Sequence, residues 1–325
     1  MRRLTSPCIP LFACGLLLSH TAAAQEYPSR VIRIVVAQAP ASGPDLLART
    51  IAQKLSEAWG QQVIVDNRPG ANGIIGGDAV AKAKPDGYTL LVGVPSAIAM
   101  NPFVYKQMPY DPLKDLAPVT QTATNTFGLI VTPTLPATSV RQLAALAKAR
   151  PGELLYASAG IGNQTHLAGE LFALAAGVKM VHVPYKGATP AWTDVMGGQV
   201  ALMFTSTQGV VPQFKTGKLR LLATCDTKRA AAFPTIPTVV ESGYPGVVIT
   251  GWTGLLAPAG TPPDILAKLS REVAKHLAQP EVRERMAADG AEPTPSSPEA
   301  FSAFIKAEAG KWSRVIRAAG LEHSQ

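Results

Sequence analysis

Two segments of the 325-residue chain place small residues and glycine where a strand pattern gives way to a helix pattern. They are Ala39-Pro40-Ala41-Ser42-Gly43-Pro44-Asp45 and Ala157-Ser158-Ala159-Gly160-Ile161-Gly162-Asn163-Gln164-Thr165-His166. Where bulky side chains are missing a ligand can approach the backbone, and the unpaired N–H groups of a first helical turn favour an anion there. A carboxylate can be held in this way without an arginine. Taken singly, each loop reads equally as a tight turn in which Asp45 or Asn163 caps or charges a helix start. Two such loops in one chain point to a shared cleft.

Other chemistries find less support. Ser158 lacks the preceding glycine of a G-x-S-x-G elbow, so a secreted hydrolase survives only as a residual class. Gly70-Ala71-Asn72-Gly73-Ile74-Ile75-Gly76 does not have G-x-G-x-x-G spacing, and the strand after it ends in Gly93-Val94 with no acidic residue for a ribose. No two of His166, His182 and His276 sit at metal-ligand spacing, so neither a zinc site nor any cofactor is expected. His166 could donate to a ligand oxygen or satisfy a local backbone group. His182 alternates with Val181 and Val183 and reads as a packed or surface strand residue, while Trp192 and Trp252 read as packing. Lys186, after Tyr185, reads equally as a solvated loop lysine. Cys225 follows a buried strand pattern, without a neighbouring cation to activate it, and reads as inert packing.

The elements that must carry the two loops are legible in the periodicity. Val31 to Val36 reads as a strand, Asp45 to Trp59 as a helix with Leu47, Ile51 and Leu55 at helical spacing, and Val63 to Val65 as a second strand. A Gly-rich loop at Gly70 to Gly77, a helix around Asp78 to Ala83, the turn Pro85-Asp86-Gly87 and the strand Tyr88 to Val92 complete a βαβαβ series. The programme restarts with strands at Phe127 to Val131 and Leu154 to Ser158, a helix from Thr165 to Ala175, and strands at Met180 to Val183 and Val200 to Phe204. Leu219 to Thr224 and Val247 to Leu256 read as extended, Pro263 to Ala278 and Pro298 to Ala318 as helices. No flexible linker divides the halves. Strands that cross between them are therefore expected, with the C-terminal helices returning to the first half.

Composition agrees with an ordinary globular α/β chain: 47% hydrophobic and 16% charged residues exclude disorder and collagen. Met1-Arg2-Arg3, an apolar stretch from Ile9 to Leu18 and Ala22-Ala23-Ala24 read as a signal peptide over residues 1–24, with cleavage near Gln25. A periplasmic or secreted product is expected, without direct membrane insertion, since no apolar run reaches about 18 residues. Cys8 and Cys14 leave with that leader, so no disulfide framework is predicted. The formal charge of +8 is spread without runs of Lys and Arg, which gives no nucleic-acid stripe.

Several segments in order carry a further likeness. They include Asp45-Leu46-Leu47-Ala48-Arg49, Val65-Asp66-Asn67-Arg68-Pro69-Gly70-Ala71-Asn72-Gly73, Pro85-Asp86-Gly87-Tyr88-Thr89, Asn101-Pro102 and Tyr110-Asp111-Pro112. Tyr156-Ala157-Ser158-Ala159-Gly160, His166-Leu167-Ala168-Gly169-Glu170, Val183-Pro184-Tyr185-Lys186-Gly187 and Gly254-Leu255-Leu256-Ala257-Pro258 continue the series. The chain resembles the Bug/TctC family, the extracytoplasmic solute receptors of tripartite tricarboxylate transporters.

That resemblance implies a type II periplasmic-binding-protein fold: two α/β lobes, each with a parallel-type sheet flanked by helices, and a ligand cleft between them. Lobe 1 would span 26–124 and 250–325, lobe 2 125–249. Carried over by position, the site would comprise Pro40, Ala41, Ser42, Gly43, Asp45 and Ser96 from one lobe. The other would supply Ser158, Ala159, Gly160, Gly162, Asn163, Gln164, His166, Thr205 and Ser206. The family usually has Pro-Phe before the first loop and a Gly-Gly pair within it; here Ala37-Gln38 and Ala41-Ser42 stand there. Gln38 is therefore expected to offer a polar contact where the family has an aromatic wall.

The function implied is capture of a small carboxylate-bearing metabolite and its delivery to membrane transporter subunits. A sensor that signals to a membrane kinase would share the binding chemistry and differ in partner.

Overall fold

The computed structural model describes residues 27–208, 210–288 and 290–325; the expected leader over residues 1–24 lies outside them. The chain opens with β1 (Ile32–Val36), whose β-branched side chains are buried almost throughout. Next comes α1 (Gly43–Trp59), which turns Leu47, Ala48, Ile51, Ala52 and Leu55 inward and stops at Gly60, where a φ of 62° lets the N–H reach the Ser56 carbonyl. β2 (Val63–Asn67), α2 (Ile74–Ala81) and β3 (Thr89–Gly93) follow. A π-helical turn at Ser96–Met100 runs into α3 (Asn101–Val104), and β4 (Leu116–Val131) then crosses the molecule.

The second half contains α4 (Val140–Ala149), β5 (Leu155–Ser158), α5 (Gln164–Ala176), β6 (Val181–Pro184), α6 (Ala188–Met196), β7 (Leu202–Ser206), α7 (Val211–Lys215) and β8 (Arg220–Thr224). The chain returns through β9 (Thr250–Pro258), α8 (Pro263–Leu277), α9 (Pro280–Ala288), β10 (Ala291–Pro293) and α10 (Pro298–Ala318).

The strands form one mixed sheet in the order β2-β1-β3-β9-β4-β7-β5-β6, with β8 and β10 also paired to β4. β2, β1 and β3 are mutually parallel, as are β6, β5 and β7, and the two trios meet through the antiparallel pair β9 and β4. β4 pairs with β9 from Leu116 to Thr126 and with β7 from Phe127 to Val131, so one strand serves both halves. The halves are thus joined by a strand instead of a flexible tether. α10 packs on the Ser96–Met100 turn and on α5, so the last helix touches both halves.

The Gly-rich segment behaves differently from its composition. Helix α2 begins at Ile74, inside the stretch predicted as a loop. An added Cβ at Gly76 would lie 2.9 Å from Ala37 Cα, and one at Gly77 would lie 2.0 Å from Tyr110 Oη. These two glycines allow close helix packing, whereas Gly70 and Gly73, with Ala71 and Asn72 between them, have positive φ. Helices α4, α6 and α9 have no counterpart in the sequence reading.

Candidate functional site

A cavity of about 210 Å³ lies where the halves meet. Gly43 at the first turn of α1 lines it from one side, and Asn163 and Gln164 at the start of α5 line it from the other. Gln38, Ser96 and Ser206 also reach the wall. The starts of α1 and α5 thus border one space, and the dipole at a helix start favours an anion. Asn163 has a second task, because its side chain accepts from the Thr165 N–H and caps α5.

The floor is polar and comes from the shared strands. Asn125 on β4 donates to Ser206 Oγ at 2.7 Å, and the Gln208 N–H donates to the same oxygen at 3.2 Å. Gly251 on β9 leaves room for this group, since a Cβ there would lie 2.4 Å from Asn125 Nδ2. Gln208 reaches across from the second half to Gly43, where an added Cβ would meet its Oε1 at 2.6 Å. Trp252 and Phe127 give the wall apolar area, and Arg285 on α9 supplies its one formal charge among the described residues. An arginine was not expected in the site. Trp252 is buried as anticipated, its Nε1–H directed to Glu308, and it lines the cavity as well.

The other residues nominated from the loops do not line the cavity. Pro40 and Ala41 are exposed, and Ala41 has a φ of 61°. Ser42 precedes α1 with its Oγ buried and without a partner among the described residues. Asp45 is buried, and its carboxylate accepts from the Ala41 N–H, Arg49 Nε and Asn67 Nδ2. Burial alone would raise its pKa; the bonds from Arg49, Asn67 and Ala41, with the Arg49 charge, outweigh that and hold it below the usual carboxylate range. An ionised, internally satisfied Asp45 shapes the loop, and its charge disfavours contact with an anion.

In the second loop the polar groups are likewise committed to one another. Ser158 is fully buried, with its Oγ 2.6 Å from His182 Nε2 and 3.1 Å from the Gly160 N–H. The Ala159 N–H donates to Thr165 Oγ1, and the Gly162 N–H donates to His166 Nδ1 at 3.1 Å. His166 therefore carries no proton on Nδ1, and its ring stacks on His182 with centroids 3.7 Å apart. Burial pushes the His166 pKa down to about 3, with His182 adding to the effect, and burial pushes that of His182 down to about 4. Thr205 is buried and accepts from Trp192 Nε1. His166 thus holds the Gly160–Asn163 turn from behind. Cys225 is buried, and burial with the nearby Asp226 pushes its thiol pKa up.

Sequence reasoning missed Asn125, Gln208 and Arg285 as wall residues, and it preferred packing for Trp252, which both packs and lines the cavity. Asn125 precedes the strand read from Phe127, and Arg285 lies in α9, a segment for which no helix was expected.

Two α/β halves that share strands around a cavity lined from both sides define a ligand receptor of the periplasmic-binding-protein class. Residues 47–321 match the family described as tripartite tricarboxylate transporter family receptor, TctC, and the chain belongs to it. BugT of Bordetella pertussis is 38% identical over 96% of this chain and 96% of its own. Among solved structures, Rpa4515 of R. palustris with adipate is 38% identical, with a TM-score of 0.83 over 91% of this chain and 99% of its own. MatC of Rhodopseudomonas palustris with bound malate is 30% identical, with a TM-score of 0.80 over 89% of this chain and all of its own.

Proposed function

We propose that this protein is an exported receptor that captures a small carboxylate-bearing metabolite between its halves and delivers it to a membrane transporter of the tripartite tricarboxylate type. The carrying observation is that the starts of α1 and α5, one from each half, line the same cavity at Gly43 and at Asn163 and Gln164. A carboxylate there receives donors from both sides, so it binds the closed arrangement more tightly than an open one and thereby drives closure. The adipate and malate bound in the two relatives support this ligand class. Residues 26–124 with 250–325 would move as one lobe and 125–249 as the other, with β4 bending where it changes partner after Thr126. Residues 1–24 would direct export to the periplasm and be removed.

The test is thermal melting of the mature chain against mono-, di- and tricarboxylates and aromatic acids. A ligand at a hundred times its dissociation constant stabilises by about 2.7 kcal/mol, which a melting curve resolves. A panel in which no acid raises the melting temperature overturns the reading. Uptake measured in a deletion strain then separates delivery from sensing.

A further inference from the structure

Arg285 is the one formally charged residue on the cavity wall among the described residues. Glu281, one turn earlier on α9, is engaged by Lys54 at 3.1 Å. Arg285 is exposed and no described residue pairs with its guanidinium, so its donors are open to a solute entering the cavity it lines. Its position in the last turn of α9 also suits the carbonyl end of that helix. That accounts for a basic residue there, and has no bearing on its lining a cavity that two helix starts also line. Met286, its neighbour, belongs to the same apolar cluster as Leu47 and Ala123, and all three line the cavity.

We propose that Arg285 is the specificity-determining residue of the cavity, taking the second acid group of a solute whose first carboxylate rests at the starts of α1 and α5. The inference rests on the receptor reading above and narrows it. The solute is a dianion, and the apolar surface beside Arg285 fits a methylene spacer between its acid groups. Arginine is suited to the role because its planar fork meets a carboxylate with two parallel donors. A monocarboxylate of the same length would leave the guanidinium without a partner.

The test is calorimetry with succinate, glutarate and adipate, each against its own monomethyl ester, on the mature wild type and on R285Q and R285K. Expected in the wild type is a diacid that binds at least tenfold more tightly than its ester, with the margin shrinking as salt rises. In R285Q the ratio of the two dissociation constants collapses toward one, and in R285K part of it remains. Equal binding of diacid and ester by the wild type, or an unchanged ratio in R285Q at an unchanged melting temperature, overturns the proposal and leaves the receptor reading standing. Absence of binding by any of these acids or by the wider carboxylate panel overturns both.

Discussion

Asn72 Nδ2 donates to the Ile161 carbonyl at 3.0 Å, so a side chain following β2 in the first half grips the loop that precedes α5 in the second. The same nitrogen donates to Tyr105 Oη at 3.2 Å. Beside this contact Gly162, with a φ of 70°, approaches α3 so closely that a Cβ would lie 2.6 Å from Val104 Cγ1. The turn that lines the cavity through Asn163 is thereby fastened across the gap.

Removing that grip should shift the receptor toward an open form. Asn72 sits in left-handed backbone with a φ of 52°, which glycine adopts freely, so Asn72→Gly deletes the two bonds without adding strain. A net value of about 0.5–1.5 kcal/mol per hydrogen bond corresponds to roughly a two- to thirteenfold loss of ligand affinity if one bond governs closure. Calorimetry with the ligand found by thermal shift measures this. Undiminished affinity would show that the contact does not bias closure.

Ser42 and Ser158 should respond differently to alanine. Ser158→Ala strips a buried partner from His182 Nε2 and the Gly160 N–H, at a cost of about 1–3 kcal/mol in unfolding free energy. Ser42 Oγ makes no hydrogen bond with a described residue, so Ser42→Ala should change stability by less than about 0.5 kcal/mol. Urea unfolding of both variants decides it. Equal midpoints would remove the structural role given to Ser158.

Acid should weaken the fold through the stacked histidines. Folded pKa values of about 3 for His166 and about 4 for His182 lie below the ordinary 6.5 that each regains on unfolding. The unfolded chain therefore binds more protons between these limits, and stability falls as pH drops from 6.5 toward 4. Glu170 Oε1, 3.7 Å from His166 Nε2, is the nearby carboxylate that would favour the charged ring. Melting temperature should decline through this window in the wild type and less steeply in His182→Gln. Identical slopes would show that the pair does not govern the effect.

Much of the architecture was legible because the strands are short β-branched runs and the helices carry clear apolar faces. The final helix was anticipated at Pro298 to Ala318, the range it occupies, since proline opens it and Phe301, Ile305, Ala309, Trp312 and Ile316 recur on its buried side. The extent of β4 was not legible. Pro118 interrupts its pattern, and its pairing with β9 shifts register on both sides of Thr120 and Gln121, so periodicity exposed only its last residues. The cavity was legible where backbone at helix starts forms it. Asn125, Gln208 and Arg285 come from separate strands, turns and helices, and only the fold brings them together.

β9 inserts between β3 and β4, with Leu256 opposite Leu91, and α8 covers the same apolar cluster as α1. The half that is synthesised first is therefore finished by the residues synthesised last. A chain holding only β1 to β3 would leave the β3 edge unpaired and the apolar side of α1 without its α8 cover, so truncation before β9 should cost this half its stability.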